Sequence, residues 1–409
     1  MIYVFYFFSA VLIFLSFKSL RGGFEYFSFF KGELAKPKSE FTPFVSIIVP
    51  CRGVDAGLEE NLEKLFEQEF PGYEVIFVVD DENDESVKVI KQVSIRRARN
   101  AEVKLIIAGR AENEGQKVHN LREAVSNVSE KSEVFVFVDS DARPGKNWLK
   151  NLVAPLREEK IGCSTGYRWF ISKKRNFASE MLSVWNASIA SALGANQKSN
   201  FCWGGSMALR RETFEKVKMR ERWQGTLSDD FAVTRAMKER GLPIYFVPQA
   251  LTASFEDCSI KRLFEFTTRQ MKITRVYAPP LWIASFTGAF LFNFVMIWAV
   301  FIAVFSQFGS FSFWFAVLTI LLVSVFSIGK SWLRLNAVKM VLKEYKTEIN
   351  RQFGAQITLW IFSPAIFFYN SVCALFSRKI VWRGITYKLE SPFRTSKLEG
   401  EVVKKSGKC

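Results

Sequence analysis

The sequence predicts an α/β domain built on a parallel sheet and joined to apolar helices that cross a membrane. Three observations predict this fold class. Apolar runs alternate with helical patterns between residues 44 and 252, four long apolar stretches lie outside that region, and basic residues gather beside those stretches. Continuous apolar runs separated by helices are typical of parallel strands that helices cover on both faces. The 409 residues allow two or three modules.

Strands and helices alternate in the predicted α/β domain. The predicted strands are 44–49, 74–79, 103–107 and 134–138, and the predicted helices between them are 58–68, 86–99 and 117–125. Ligands bind at the carboxyl ends of the strands in such folds. The polar residues that follow each strand are therefore the first candidates for a functional site.

The N-terminal apolar stretch is expected to be an uncleaved membrane anchor over residues 1–20. Residues 1–17 carry no charge, and Lys18 and Arg21 follow directly. A cleaved signal peptide would have a basic start and a small-residue cleavage site, and neither is present. Basic residues after the anchor place the following domain, residues 40–278, in the cytosol. Two more transmembrane helices are expected within residues 279–329.

Two segments after residue 329 each leave two alternatives open. Apolar residues at helical spacing predict an amphipathic helix over 330–352, either on the membrane surface or packed as an ordinary soluble helix. The last apolar stretch, 355–377, contains Pro364 and either crosses the membrane or re-enters it. A basic tail, 378–409, follows.

Charge and residue usage exclude several classes of function. The net charge is +16, but the basic residues lie beside membrane segments and form no aromatic-basic groove, so nucleic-acid binding is not expected. Six scattered cysteines predict neither a zinc site nor a disulfide framework. His119 is the only histidine, which excludes a site built from several histidines, and we expect it on a helix surface.

Three acidic clusters stand at the ends of predicted elements. Asp80-Asp81-Glu82-Asn83-Asp84 follows the second strand, Asp139-Ser140-Asp141 follows the fourth, and Ser228-Asp229-Asp230 precedes a helical pattern. One such cluster alone is typical of a turn or a helix cap. Three together predict oxygen ligands for a divalent cation, Mg²⁺ or Mn²⁺, bound with a diphosphate.

At these positions the chain resembles family-2-like nucleotide-sugar glycosyltransferases with the GT-A fold. It is most similar to the membrane-bound ceramide glucosyltransferase branch. The matching segments are Ser46 to Gly53, Asp84, Asp139-Ser140-Asp141, Trp203-Gly204-Gly205-Ser206-Met207, Asp229-Asp230 and Trp382-Arg383-Gly384.

The resemblance implies roles for the aspartates. Asp84 matches the first aspartate of the branch, expected near the nucleoside. Asp139 matches the second, and with Asp141 it would hold the metal ion and the sugar diphosphate. Asp230 matches the third, the expected catalytic base, and Asp229 beside it is expected at the acceptor.

Further donor contacts are expected from two segments. Pro50 and Arg52 follow the first strand. Arg269-Gln270-Met271-Lys272-Ile273 falls on the last motif of the branch, with Arg269 and Lys272 as phosphate contacts. Here Lys272 replaces an arginine, which loses the planar bidentate fork, and Ile273 replaces a tryptophan. These departures leave the identities of the sugar and the lipid open.

The remaining candidates have structural alternatives. Lys117 is expected to reach the donor, and Gly204 and Gly205 to let the backbone approach it, unless they form a plain turn. Trp223 is expected to shape the acceptor pocket or to pack in the core. Trp185 belongs to an apolar stripe over 177–193 that either guides a lipid or packs inside the fold.

The predicted function is transfer of a hexose from a nucleotide sugar, UDP-sugar being expected, to the hydroxyl group of a lipid, with inversion. A processive polysaccharide synthase and a polyprenyl-phosphate glycosyltransferase are the alternative enzymes. A membrane transporter or scaffold is the alternative outside enzymes. A transporter places polar groups within its spans, and these spans have almost none beyond Asn293.

Overall fold

The computed structural model describes residues 2–37, 39–97 and 101–398. Within them the strands are β1 Val45–Pro50, β2 Tyr73–Val79, β3 Glu102–Ile107, β4 Val134–Val138, β5 Cys163–Thr165, β6 Arg168–Ile171, β7 Ser206–Arg210, β8 Ile244–Phe246, β9 Thr252–Phe255, β10 Lys379–Trp382, β11 Ile385–Ser391 and β12 Arg394–Lys397. The α-helices are α1 Ile2–Leu34, α2 Leu58–Leu65, α3 Ser86–Arg97, α4 Gln116–Val125, α5 Trp148–Val153, α6 Phe177–Ala190, α7 Arg211–Lys216, α8 Met219–Trp223, α9 Asp229–Glu239, α10 Ile260–Tyr277, α11 Pro279–Phe305, α12 Phe311–Val341, α13 Lys346–Arg351, α14 Phe353–Thr358 and α15 Ser363–Phe376.

The described residues fall into two compact units. The helical unit consists of those within Met1–Gly32, Ile171–Ser191 and Asp257–Phe376. The sheet unit consists of those within Glu33–Phe170, Ala192–Glu256 and Ser377–Cys409. The last eleven residues of the expected basic tail, 399–409, lie outside the described part of the chain, as do residues 98 and 99 at the end of the helix predicted over 86–99.

The sheet unit is built on a seven-stranded sheet with the order β3-β2-β1-β4-β7-β5-β8. Neighbouring strands among β1, β2, β3 and β4 are parallel, and each begins and ends within one residue of its predicted bounds. Strand β7 runs antiparallel to both β4 and β5. Because β1, β2 and β4 are parallel, their carboxyl ends meet at one edge of the sheet.

Helices cover both faces of this sheet, as continuous apolar strands require. Successive strand side chains point to opposite faces. In β1, Ile47 and Val49 belong to the core cluster that also contains residues of α2, α3 and α5. Ile48 between them belongs to the cluster on the other face, with residues of α4, α8 and α9.

The C-terminal segment of the sheet unit forms a small antiparallel sheet of β10, β11 and β12. Residues 379–397, expected only as part of a basic tail, are therefore folded. Arg383 and Gly384 alone connect β10 to β11, with φ angles of 51° and 77°. Positive φ at both central residues is the geometry of a tight hairpin turn whose twist matches its strands.

The helical unit contains four segments long and apolar enough to cross a membrane: Ile2–Leu34, Pro279–Phe305, Phe311–Val341 and Phe353–Phe376. Phe5 of α1, Val295 of α11 and Ala316 of α12 share one apolar core. Lys330 continues α12 beyond the apolar stretch and donates a hydrogen bond to Ser19 Oγ at 2.9 Å. Residues 330–341 thus extend this helix and do not begin a separate one.

The last apolar segment of the helical unit is interrupted. Helices α14 and α15 are separated by a 3₁₀ turn over Leu359–Phe362. Helix α10 packs against α15, where Thr268 Oγ1 lies 2.8 Å from Asn370 Oδ1. Arg275 donates to the carbonyl oxygen of Leu375 at 3.1 Å, near the end of α15.

Candidate active site

The loops after β1 and β2 are joined by carboxylates at the edge of the sheet. Pro50 ends β1, and Arg52 just beyond it forms an ion pair with Asp80, the residue after β2. The backbone N–H of Gly53 donates to both oxygens of Asp84, at 2.9 and 3.0 Å. The backbone N–H of Ser86 donates to Asp84 as well, at 2.9 Å. Asp84 thus fixes the two loops against each other.

Lys117 lies between two of the acidic clusters. It stands in the first turn of α4, and its Nζ atom lies 2.8 Å from Oδ1 of Asp139 and 3.2 Å from Oδ1 of Asp229. Asp139 directly follows β4, whereas Asp229 is the first residue of α9. The structure therefore brings together a lysine and two carboxylates that are far apart in the sequence.

Asp141 is paired with Arg168 of strand β6, whose Nη1 lies 3.2 Å from Oδ2 of Asp141. The guanidinium carbon of Arg168 lies 5.3 Å from the ring centroid of Trp203, within the range of a cation–π contact. Both Asp139 and Asp141 thus face a cation from a neighbouring element.

Gly204 and Gly205 fill the space between the acidic clusters because no larger residue fits there. A Cβ atom on Gly204 would lie 2.1 Å from Oδ2 of Asp229. One on Gly205 would lie 2.7 Å from Oδ2 of Asp139 and 2.2 Å from the ring of Trp203. These distances are far below van der Waals contact, so the close approach of the backbone to the carboxylates requires glycine.

Asp230 differs from Asp229 in its accessibility. Asp229 is only 2% exposed, whereas Asp230 is partly exposed. Oδ1 of Asp230 accepts hydrogen bonds from the Ser228 hydroxyl group and from its own helix at Phe231 N, the latter at 2.8 Å. Oδ2 accepts from the backbone N–H of Gly204 at 3.4 Å. The carboxylate is oriented by these donors and still reaches the surface of the site.

Burial and neighbouring charges shift the pKa values of these groups in opposite directions. Burial raises the pKa of Asp141 to about 6 against the opposing charge of Arg168, and it raises the pKa of Asp229 to about 6 against Lys117. Burial also acts on Asp139, but Lys117 and Arg168 outweigh it and lower its pKa. The carboxylates outweigh burial at Lys117 and raise its pKa, which keeps the ammonium charged.

The family model described as glycosyl transferase family 21 matches residues 4–394 of the chain. The chain belongs to this family. It is therefore a glycosyltransferase, and the predicted fold class is confirmed as a GT-A α/β domain in a chain with four helices long and apolar enough to cross a membrane. The matching family is numbered 21, whereas the sequence motifs were described as resembling family-2-like enzymes.

Two relatives from Caenorhabditis elegans confirm the resemblance to the ceramide glucosyltransferase branch. Ceramide glucosyltransferase 1 is 21% identical over 374 residues, which cover 88% of this chain and 75% of the relative. Ceramide glucosyltransferase 3 is 24% identical over 205 residues, which cover 49% of this chain and 43% of the relative.

Solved structures of other glycosyltransferases are also similar. The mannosyltransferase from Pyrobaculum calidifontis, in complex with GDP-Man and Mn²⁺, has a TM-score of 0.47 and 16% identity, with 90% of this chain and 99% of that chain covered. Glucosyl-3-phosphoglycerate synthase from Mycobacterium tuberculosis has a TM-score of 0.37 and 15% identity, with 57% of this chain and 79% of that chain covered.

The donor atoms at Asp139 and Asp141 fit a hard divalent cation. Oδ1 of Asp141 is buried and accepts no hydrogen bond, so a carboxylate oxygen remains for a ligand. Among the described residues no group of three or more His, Cys, Asp or Glu side chains is assembled to hold a metal ion. The other ligands of an ion here would have to be diphosphate oxygens or water, as is usual for Mg²⁺.

Several predicted residues lie away from this cluster or in the core. Trp223 is fully buried between Phe137 and Phe214, and its Nε1 donates to the backbone oxygen of Asp229 at 3.1 Å. This placement favours the packing interpretation for Trp223, because no part of the ring is left to contact an acceptor. It supports the first turn of α9 instead.

Trp185, Arg269 and Lys272 belong to the helical unit. Trp185 is 1% exposed and stacks on Phe367 with the ring centroids 5.1 Å apart, which favours packing for most of the stripe over 177–193. Arg269 and Lys272 lie on α10, where burial lowers the pKa of Lys272. Their expected contacts with donor phosphate stay predictions.

The structure adds charged residues that the sequence did not indicate as site residues. Arg168 does not belong to any of the matching motifs. Its pairing with Asp141 requires that β6, a strand of only four residues, bring the two side chains together. Arg383 stood in a matching motif without an expected role, and it pairs with Asp55 at 2.7 Å. Both residues lie near carboxylates in space and far from them in the chain.

Proposed function

We propose that this family 21 member is a membrane-bound inverting glycosyltransferase that moves a hexose from a nucleoside diphosphate sugar to a lipid hydroxyl group, which makes a glycolipid. The observation that carries the proposal is the convergence of Asp139, Asp229 and the Gly204-Gly205 backbone around Lys117. Four apolar helices of membrane-spanning length in the same chain support a lipid acceptor. The names of the two Caenorhabditis elegans relatives support the same class of acceptor and a glucosyl donor.

Asp230 is the residue that we propose as the general base. A base must reach the acceptor hydroxyl from the open side of the site, and of the two neighbouring aspartates Asp230 is the accessible one. Asp229 is buried and held by Lys117. The acceptor oxygen attacks the anomeric carbon, the bond from that carbon to the diphosphate oxygen breaks, and the hydroxyl proton passes to Asp230. Attack opposite the leaving group inverts the configuration.

Asp139 and Asp141 are the residues that would hold Mg²⁺ or Mn²⁺. Such an ion supplies positive charge to the leaving diphosphate. Lys117 holds Asp139 and Asp229 in place through its ammonium group, so that both acidic clusters keep one geometry. Asp84 holds the loop after β1 through Gly53 and so shapes the expected nucleoside side of the site.

We further propose that the sheet unit faces the cytosol and that residues 353–376 do not cross the membrane. The segment directly before Asp257, Ala192–Glu256, and the residues after Phe376 belong to the same compact unit, so the chain between them crosses an even number of times. Helices α11 and α12 supply two crossings, which leaves a re-entrant or interfacial path for α14 and α15. Lys18 and Arg21 after the first apolar stretch favour the cytosolic side for the sheet unit.

The proposal is tested with membranes that contain the full chain. Radiolabelled UDP- and GDP-sugars are added with Mn²⁺, and label is counted in an organic extract and in insoluble polymer. We expect label in the organic extract for wild type and none for Asp230→Asn, while the variant still binds the nucleotide sugar. Label in polymer would favour a polysaccharide synthase. Equal loss of binding and transfer in Asp230→Asn would contradict the role of Asp230, and label in neither fraction would contradict the proposed function.

A further inference from the structure

The hairpin between β10 and β11 presents an arginine at its tip. Arg383 adopts a positive φ of 51°, a conformation that is uncommon and unfavourable for residues other than glycine, asparagine and aspartate. Such positions persist where the surrounding structure fixes them, and they cluster at functional sites. At Arg383 the side chain makes a bidentate pair with Asp55, with Nη1 2.7 Å from Oδ1 and Nη2 on Oδ2.

The tip of the hairpin lies in the electrostatic field of the candidate metal-binding carboxylates. After Asp55, the charges of Asp141 and Asp139 contribute to a raised pKa of Arg383, although burial opposes the charge. Arg383, Asp55, Asp139 and Asp141 all belong to the sheet unit. Asp139 and Asp141 thus act on Arg383 through space, whereas the carboxylate that Arg383 contacts is that of Asp55.

The small C-terminal sheet is fixed to the rim of the same site at other points. The backbone N–H of Gln116, next to Lys117, donates to the hydroxyl oxygen of Tyr387 at 3.2 Å. The guanidinium carbon of Arg235 lies 4.0 Å from the ring centroid of Phe393. The backbone oxygen of Phe393 lies so close to Gly225 that a Cβ there would approach it to 2.5 Å. The body of the sheet is therefore anchored independently of Arg383.

We propose that Arg383 is a donor-binding residue, whose guanidinium exchanges the carboxylate of Asp55 for the diphosphate of the nucleotide sugar. The inference rests on the proposed function and assigns a ligand chemistry to the hairpin tip. A guanidinium binds carboxylate and phosphate oxygens with the same planar fork, so the exchange replaces one bidentate partner with another. Asp55 keeps the arginine in place while the diphosphate is absent.

Binding measurements on the detergent-solubilised full chain test this inference. UDP and GDP are the diphosphate probes, and uridine and guanosine are probes that lack phosphate. Loss of charge-assisted hydrogen bonds predicts at least tenfold weaker diphosphate binding by Arg383→Gln, with nucleoside binding changed less than twofold. Arg383→Lys should fall between wild type and Arg383→Gln, because it keeps the charge and loses the fork.

Two further variants separate donor binding from a structural role. Asp55→Asn removes the resting partner of Arg383, so we expect diphosphate binding as tight as in wild type or tighter. Arg394→Gln on β12 is the matched control, since its side chain is 79% exposed and pairs only locally with Glu390. It should change neither affinity nor the melting temperature.

The outcomes distinguish this inference from the proposed function. Diphosphate binding by Arg383→Gln within twofold of wild type would overturn the role of Arg383 and leave the transferase proposal in place. Equal losses of diphosphate binding in Arg383→Gln and Asp55→Asn, with equally lowered melting temperatures, would overturn it in favour of a purely structural pair. Wild-type protein that binds neither UDP nor GDP would overturn both proposals.

Discussion

The ammonium nitrogen of Lys117 lies 2.8 Å from a carboxylate oxygen of Asp139, which makes a helix residue the charge partner of a strand end. The same nitrogen reaches Asp229 on a third element. The relative positions of Asp139 and Asp229 therefore depend on one shared cation that is present before any ligand binds.

Substitution of Lys117 should destabilise the protein and abolish transfer. Lys117→Met leaves two carboxylates without their cation, and the Lys117 side chain is only 16% exposed. Breaking a buried pair of this kind costs about 3 kcal/mol. Thermal unfolding of the solubilised protein measures the loss. Lys160→Met is the control, because Lys160 is 73% exposed and should leave the melting temperature unchanged. Equal melting temperatures for the two variants would contradict the bridging role.

A methyl group at Gly204 should disturb the site and not the fold at large. The added Cβ would displace the Asp229 carboxylate, which now lies 2.1 Å from that position. We expect Gly204→Ala to lower kcat at least tenfold, with a smaller effect on the KM for the nucleotide sugar. Gly194→Ala is the matched control, since no atom lies within 4 Å of a Cβ there. Wild-type kcat in Gly204→Ala would show that the close approach is dispensable.

The sequence predicted the sheet and most of the acidic cluster because their signals are local. Apolar runs end directly at Asp80 and Asp139, and parallel strands bring such ends to one edge without further information. The double glycine at Gly204-Gly205 was predicted to let the backbone approach the donor or to form a plain turn, and the structure shows the backbone close to the carboxylates of Asp139 and Asp229.

The pairs that the sequence missed join residues far apart in the chain. Arg383 and Asp55 are separated by 328 positions, and no periodicity or spacing relates them.

Helix α1 is longer than the anchor that was predicted over residues 1–20, and the reason is a different one. Lys18 and Arg21 end the apolar stretch, but charged residues do not end a helix, and α1 continues to Leu34.

The stability of the sheet unit should depend on pH through His119. Its Nδ1 lies 3.0 Å from a Glu114 carboxylate oxygen and its Nε2 lies 2.9 Å from the carbonyl oxygen of Ala108. Both partners accept hydrogen bonds, so the charged imidazole, which donates from both ring nitrogens, is the form that satisfies both of them. The hydrogen bond to Glu114 raises the pKa of His119 above its ordinary value of 6.5, despite burial.

Because the folded state holds this proton more tightly, the stabilisation is complete below pH 6.5 and is lost as the pH rises through the raised pKa. We expect the melting temperature of wild type to fall in that interval. His119→Gln should remove the part of the fall in melting temperature that His119 causes, since glutamine does not titrate. Parallel curves for the two proteins would contradict a charged His119. The effect reaches the site, because Glu114 also accepts from the backbone N–H of Gly225 at 3.1 Å, just before α9.

The side of the membrane that each segment occupies can be read by cysteine labelling. In a background without the native cysteines, Lys160→Cys reports on the sheet unit, Arg394→Cys on β12 and Phe308→Cys on the connection between α11 and α12. All three positions are well exposed, at 73%, 79% and 79%. A membrane-impermeant maleimide is added to sealed vesicles of either orientation.

We expect the cysteines at 160 and 394 to react in the same vesicle preparation and the one at 308 to react only in the opposite preparation. This pattern is expected because β12 folds in the same unit as the seven-stranded sheet, while α11 and α12 are consecutive helices long and apolar enough to cross a membrane. Labelling of 160 and 394 from opposite sides would mean that residues 353–376 cross the bilayer. In that case the C-terminal sheet could not pack beside α4, and the hydrogen bond between Gln116 and Tyr387 could not form in the membrane-bound enzyme.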